Sequence, residues 1–170
     1  MNSIARMVVL LFLMALSIPS VGQSIEVWKE DLKSADKRIQ MAALHGLSDA
    51  YNQISLDTAL IYGYQSLELA KLLSNDTFSL KSHFRLAVSY SFLRQRDSII
   101  LHAKMGEELA EGLSHKRALA FVYRLLATAY RENENYGDAE GYFLKSIDLF
   151  NEEKATLLGV SAYGSLALLY

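Results

Sequence analysis

Residues Ala118–Glu152 read ALAFVYRLLATAYRENENYGDAEGYFLKSIDLFNE. Two runs whose apolar residues recur at three- and four-residue spacing flank a short polar break, RENEN. That is the pattern of two amphipathic helices joined by a tight turn. The first run carries a large–small pair followed three residues later by tyrosine, Leu126, Ala127 and Tyr130. The triplet recurs upstream as Leu86, Ala87, Tyr90 and as Leu47, Ser48, Tyr51, and downstream as Leu166, Ala167, Tyr170. The steps are 39, 40 and 40 residues. A repeat of that length is one supersecondary unit that buries its apolar face against the next, so the expected object is a stack of helical hairpins.

The second helix of each unit has its own spacing. Ala139, Phe143 and Ser146 correspond to Ile99, Ala103 and Gly106, and to Ala59, Gly63 and Ser66 in the first unit, whose loop reads one residue shorter. Small residues there set a close approach of paired helices, because interaxial distance follows the side chains at the contact. Asp57, Asp97 and Asn135 stand where N-caps are expected, and Ser74-Asn75-Asp76 and Gly112 where helices end. The resulting map places helices near 36–52, 55–73, 77–93, 97–111, 115–133, 136–151 and 156–170. Ser24–Lys33, with Ile25, the single Trp28 and Leu32 at helical spacing, reads as an amphipathic cap (23–35) over the open end of the first unit.

Composition narrows the function. The 170 residues are 51% hydrophobic, enough for one domain with a real core. The only proline is Pro19, so no proline interrupts the helices. A formal charge of −2 lacks the basic excess of a nucleic-acid binder. The absence of cysteine excludes disulfides, thiolate-bound zinc, thiol catalysis and cysteine lipidation.

The N-terminus reads separately. Met7–Ile18 is an uninterrupted apolar run after one basic residue, and Ser20 and Gly22 suit the small positions of a signal-peptidase site, making 1–22 a signal peptide and Gln23 the mature start. As a helix the run spans about 18 Å, short of the roughly 30 Å hydrocarbon core, which favours export over its alternative, an uncleaved anchor. The expected location is periplasmic or otherwise extracytoplasmic, with no other membrane contact in this segment.

Candidate chemistry is sparse. His45, His83, His102 and His115 show no three- or four-residue pairing of the kind a helical metal site needs. Glu132, Glu134, Asp138 and Glu140 cluster at a turn without the ligand ladder of a calcium loop. Gly141 and Gly159 sit in helical patterns, and Ser98, Ser114 and Ser161 lack a nucleophile-elbow context. No cofactor, metal site or enzymatic activity is expected.

The repeat resembles the tetratricopeptide repeat, which has a bulky–small pair and an aromatic on its first helix, then small, aromatic and small residues on its second. Tyr123, Leu126, Ala127, Tyr130, Tyr136, Ala139, Phe143 and Ser146 fit throughout. The preceding unit departs at Arg96 and Ala103, and the first at Gly63. The unit is longer than the usual 34 residues, a length also found in HEAT-type pairs. The resemblance implies an all-α, right-handed superhelix of about three and a half hairpins, at 36–74, 76–113, 115–152 and an incomplete 156–170. The long unit looks like the arrays found outside the membrane in certain bacterial sensor kinases and transcription regulators. The chain is therefore expected to be the sensory or scaffolding part of a longer signalling protein, continuing beyond Tyr170, where the fourth motif lacks its second helix.

The family's usual binding surface is the concave one, lined by first helices. In that register the groove positions are Ala42, His45, Asp49 and Asn52; Lys81, Phe84, Val88 and Ser91; and Phe121, Arg124, Thr128 and Arg131. Lys81, Arg124 and Arg131 beside Phe84 and Phe121 suit an extended peptide with acidic and apolar side chains. The family's clamp for a C-terminal carboxylate needs asparagines that the second and third units lack. Two alternatives stand beside a protein or peptide partner: a secreted helical carrier of a small molecule, which needs buried polar groups converging on a pocket, and self-association through 156–170, where Val160, Leu166, Leu169 and Tyr170 would form an unmatched apolar face.

Overall fold

The computed structural model describes residues 21–167. The signal-peptide reading of 1–22, apart from its last two residues, and the motif residues Leu169 and Tyr170 lie outside them. Eight helices follow one another with no strand among the described residues: α1 Val21–Asp31, α2 Lys37–Tyr51, α3 Leu56–Leu72, α4 Asp76–Phe92, α5 Arg96–Gly112, α6 Lys116–Glu132, α7 Tyr136–Glu152 and α8 Thr156–Ala167. Each packs on its neighbours in sequence, and α2, α4 and α6 also lie side by side. The chain is an α-helical repeat array.

The forty-residue step has a simple cause. Helices α3 to α7 are each 17 residues long. The connection between each and the next is three residues, and all of these connections have one geometry. At the end of α3, the Asn75 N–H donates to the Ala70 carbonyl and the Ser74 N–H to the Lys71 carbonyl. The same pair of bonds closes α4, α5, α6 and α7. This is the Schellman arrangement, which satisfies helix-end carbonyls by turning one residue left-handed. Here that residue is never glycine: Ser74, Arg94, Ser114, Glu134 and Lys154 have φ between 49° and 58°.

Three details of the sequence reading change. Gly112 is the last helical residue of α5, and Ser114 makes the left-handed turn. The N-caps of α3 and α5 are Ser55 and Gln95, with Asp57 and Asp97 two residues inside, in the first turn, while Asn135 does cap α7 through Asp138 N–H. The first unit is shorter because α2 stops sooner after its leucine; its connection, 52–55, is one residue longer than the others.

The motif residues form the core. Leu47, Leu86 and Leu126 are wholly buried, as are Ala87 and Ala127, and Ser48 is buried. Burial of each leucine stabilises the array by about 1.5–3 kcal/mol. The motif tyrosines are half-buried and stack on the second helix of their own hairpin: Tyr51 on Tyr62 at 5.6 Å, Tyr90 on His102 at 5.5 Å, Tyr130 on Tyr142 at 5.5 Å. Buried serines join helices by giving their hydroxyls to backbone, Ser48 to the Ala59 carbonyl at 2.9 Å and Ser146 to the Ala120 carbonyl at 2.8 Å.

At the N-terminal end, α1 lies on α2. The Trp28 indole fills the notch left by Gly46, where an added Cβ would stand 2.5 Å from the ring. At the other end, Ala162 is buried with Ile147, Phe150 and Ala120, and Leu158 and Leu166 pack on that cluster. Leu166 therefore faces the array, which corrects its placement on an unmatched apolar face; exposed Tyr163 does lie on the outside.

Candidate functional site on the first-helix face

α2, α4 and α6 are held together by side chains on one shared surface. Asp49 of α2 forms an ion pair with Arg85 of α4. Ser89 donates its hydroxyl to Asn52 Oδ1 at 2.6 Å. The rings of Phe84 and Phe121 meet edge to face, centroids 6.0 Å apart, joining α4 to α6. These contacts fix the spacing of the first helices, and a cleft of about 260 Å³ opens between them.

Four of the twelve groove residues named from the sequence line that cleft: His45, Lys81, Phe84 and Phe121. Its floor is apolar, with Leu80, Phe84, Phe121 and Val122, and its polar groups are His45, Thr77, Lys81, Arg85 and His115. No carboxylate lines it. Lys81 holds its ammonium 4.7 Å from the Phe78 ring centroid, and the same ring meets His45 edge to face. Burial, followed by the nearby cations Arg85 and Lys81, pushes His45 down to about 4, with Asp49 opposing, so its imidazole is neutral at neutral pH. Two nitrogens of the cleft's lining residues, His45 Nδ1 and Arg85 Nε, are buried with no hydrogen-bond partner.

The other eight do not line the cleft; of these, Ala42 is exposed on α2 and Val88 is half-buried on α4. Asp49 is taken up by Arg85, and Asn52 by Ser89. Ser91 and Thr128 return their hydroxyls to the carbonyls of Val88 and Arg124 on their own helices. Arg124 lies over the Phe121 ring at 5.7 Å, and burial lowers its pKa. Arg131 is half-buried near the end of α6.

Arg85 and His115 escaped the sequence reading. Arg85 stands four residues after Lys81 and one after Phe84, on the same arc of α4, and that spacing was the available signal. His115 is the N-cap of α6, accepting from the Ala118 N–H at 3.4 Å.

A second constellation lies between the first two hairpins. His83 Nδ1 of α4 and His102 Nδ1 of α5 share a hydrogen bond of 3.0 Å. His102 Nε2 is 3.0 Å from the hydroxyl of Tyr64 in α3, which is 2.8 Å from that of Tyr90. Burial pushes His83 down to about 4, reinforced by His102 and Lys71, and it lowers His102 as well. Burial followed by the bond to Tyr90 raises Tyr64 to about 12. His83, His102 and Tyr64 are thus neutral at neutral pH. One hairpin further on, Tyr123, Tyr130 and Tyr142 occupy the places of His83, Tyr90 and His102, and Lys104 reaches Tyr142 from the preceding hairpin as Tyr64 reaches His102. The network is a periodic inter-hairpin contact that happens to contain histidine. Among the described residues no group of three or more His, Cys, Asp or Glu is arranged to hold a metal ion, and no helix is long and apolar enough to cross a membrane.

No protein-family profile matches the chain, and no curated protein matches it.

Proposed function

We propose that the chain is a non-catalytic interaction module of the tetratricopeptide type, the exported sensory or scaffolding region of a longer signalling protein, and that a protein segment docks on the face made by α2, α4 and α6. The observation that carries this reading is the cleft itself. It puts an apolar floor shared by adjacent hairpins, Leu80 and Phe84 of α4 with Phe121 and Val122 of α6, beside two cations of α4, Lys81 and Arg85, where an extended segment crossing the first helices meets both. The repeat period and the leucine–small–tyrosine triplets support the family assignment.

The expected ligand segment alternates acidic and apolar side chains, because no carboxylate lines the cleft and Lys81 and Arg85 do. Fluorescence anisotropy with a library of labelled acidic–apolar peptides tests this. Binders should lose about tenfold or more in affinity on Phe84→Asp. They should be indifferent to Leu101→Asp, which alters an exposed residue of α5. Peptides that bind both variants and the parent equally would remove docking from the first-helix face.

A further inference from the structure

The cleft has one feature that peptide docking does not require. Arg85 commits part of its guanidinium to Asp49, yet its Nε is buried and unpartnered, and so is His45 Nδ1 on the facing helix. Buried donors without a partner are rare in native structures and commonly mark the place of a water, ion or ligand. Both side chains line a cleft whose other walls are the rings of Phe84 and Phe121 with Leu80 and Val122. An apolar pocket with a few convergent polar groups is the usual form of a small-molecule site.

We propose that this cleft binds a small carboxylic acid with an aromatic or aliphatic body, its carboxylate turned to Arg85 and Lys81 and its body laid on Phe84 and Phe121. An ionised carboxylate is acceptor-only, and it takes the Arg85 Nε–H and, from the Nδ1–H tautomer of His45, a second donor. Lys81 moves from the face of Phe78 to the carboxylate over a few ångströms of flexible chain. The volume of about 260 Å³ suits a ligand of one ring and a short acid arm rather than a cofactor. The body fits where Phe84 and Phe121 already meet edge to face, a geometry open to a third ring. This goes beyond the docking reading, since it needs no partner protein, and occupancy of the cleft would compete with any segment that crosses it.

Hydrocinnamate and its neutral isostere hydrocinnamamide are suitable probes, titrated into the full chain and followed by two-dimensional proton–nitrogen NMR. The acid is expected to bind in the millimolar range or tighter, the scale of a ligand this small, and the amide about tenfold more weakly. The shifts should appear at the Arg85 Nε–H and the His45 ring, with the Trp28 indole unmoved. Arg85→Lys keeps a cation for Asp49 but has no Nε–H, and should weaken the acid about fivefold or more. Lys81→Met, at an exposed position, should weaken it similarly and carries the test if Arg85→Lys fails to fold. Equal binding of acid and amide, shifts elsewhere, or no binding of the acid would overturn the proposal. Peptides that bind while the acid does not would overturn it and leave the docking reading standing; the acid alone binding would do the reverse.

Discussion

Gly63 is where α2, α3 and α4 converge, and replacing it with alanine gives a signed prediction. The residue lies inside α3 and is buried. A Cβ there would stand 2.8 Å from Leu86 Cδ2 and 3.3 Å from Leu86 Cγ in α4, and 3.2 Å from Ser48 Oγ in α2. In a helix interior, glycine to alanine ordinarily gains about 0.5–1 kcal/mol from backbone entropy. Against this, Leu86 is wholly buried and Ser48 is fixed by its bond to the Ala59 carbonyl, so neither yields freely. Overpacking of a tight core costs about 1–3 kcal/mol. The net expectation for Gly63→Ala is destabilisation by about 1–2 kcal/mol. Gly141 is the matched control: it is exposed within α7 and an added Cβ meets nothing within 4 Å. Gly141→Ala should stabilise by about 0.5–1 kcal/mol. Urea unfolding followed by far-ultraviolet circular dichroism separates the two by about 1.5–3 kcal/mol. If both substitutions stabilise alike, α2, α3 and α4 do not converge on Gly63, and the nesting of the first hairpin on the second is refuted.

The left-handed connection residues give a second test: Arg94→Gly, at φ 55°, should stabilise by about 0.5–1 kcal/mol, and a loss in urea midpoint would contradict the Schellman closure. Acid sensitivity follows from the histidines. The folded pKa of His83 lies below its unfolded value, so the unfolded chain takes up the proton first. Stability is complete above about pH 6.5 and is lost as pH falls towards about 4, by about 2–3 kcal/mol for this group. His83→Phe should flatten the dependence of the urea midpoint on pH across that window, and an unchanged slope would sink the assignment. The proposed export with cleavage predicts an N-terminus at Gln23 by mass spectrometry of the processed protein; retention of residues 1–22 would contradict it.

The repeat helices α2 to α8 were legible in the sequence to within about two residues because each is fixed twice, by apolar spacing and by the forty-residue step, whereas α1, which has no repeat counterpart, starts three residues before its sequence reading. What the sequence hid is cross-helix. His83 and His102 are 19 residues apart and meet only because α4 and α5 fold back on each other. Of the two helix exits read from the sequence, Ser74 does make the left-handed turn, and Gly112 was misread for a different reason. Glycine is the usual left-handed residue, so Gly112 drew attention, whereas arginine, glutamate, lysine and serine hold that conformation in this chain. The first-helix face was partly readable: spacing on one helix found Lys81 and Phe84, but Asp49 and Asn52 turned out to serve α4, and the pairing that consumes them needs three dimensions.

The most direct measurement compares two substitutions three residues apart on α6. Ala127 is wholly buried between hairpins, and Arg124, one turn earlier on α6, is half-buried over the Phe121 ring. In urea unfolding, Ala127→Arg should cost about 4 kcal/mol or more, combining overpacking with a buried unpaired charge. Arg124→Ala, which removes a half-buried side chain and its contact with Phe121, should cost no more than about 1 kcal/mol. Nested hairpins predict that wide gap; two variants that unfold at the same urea concentration would contradict them.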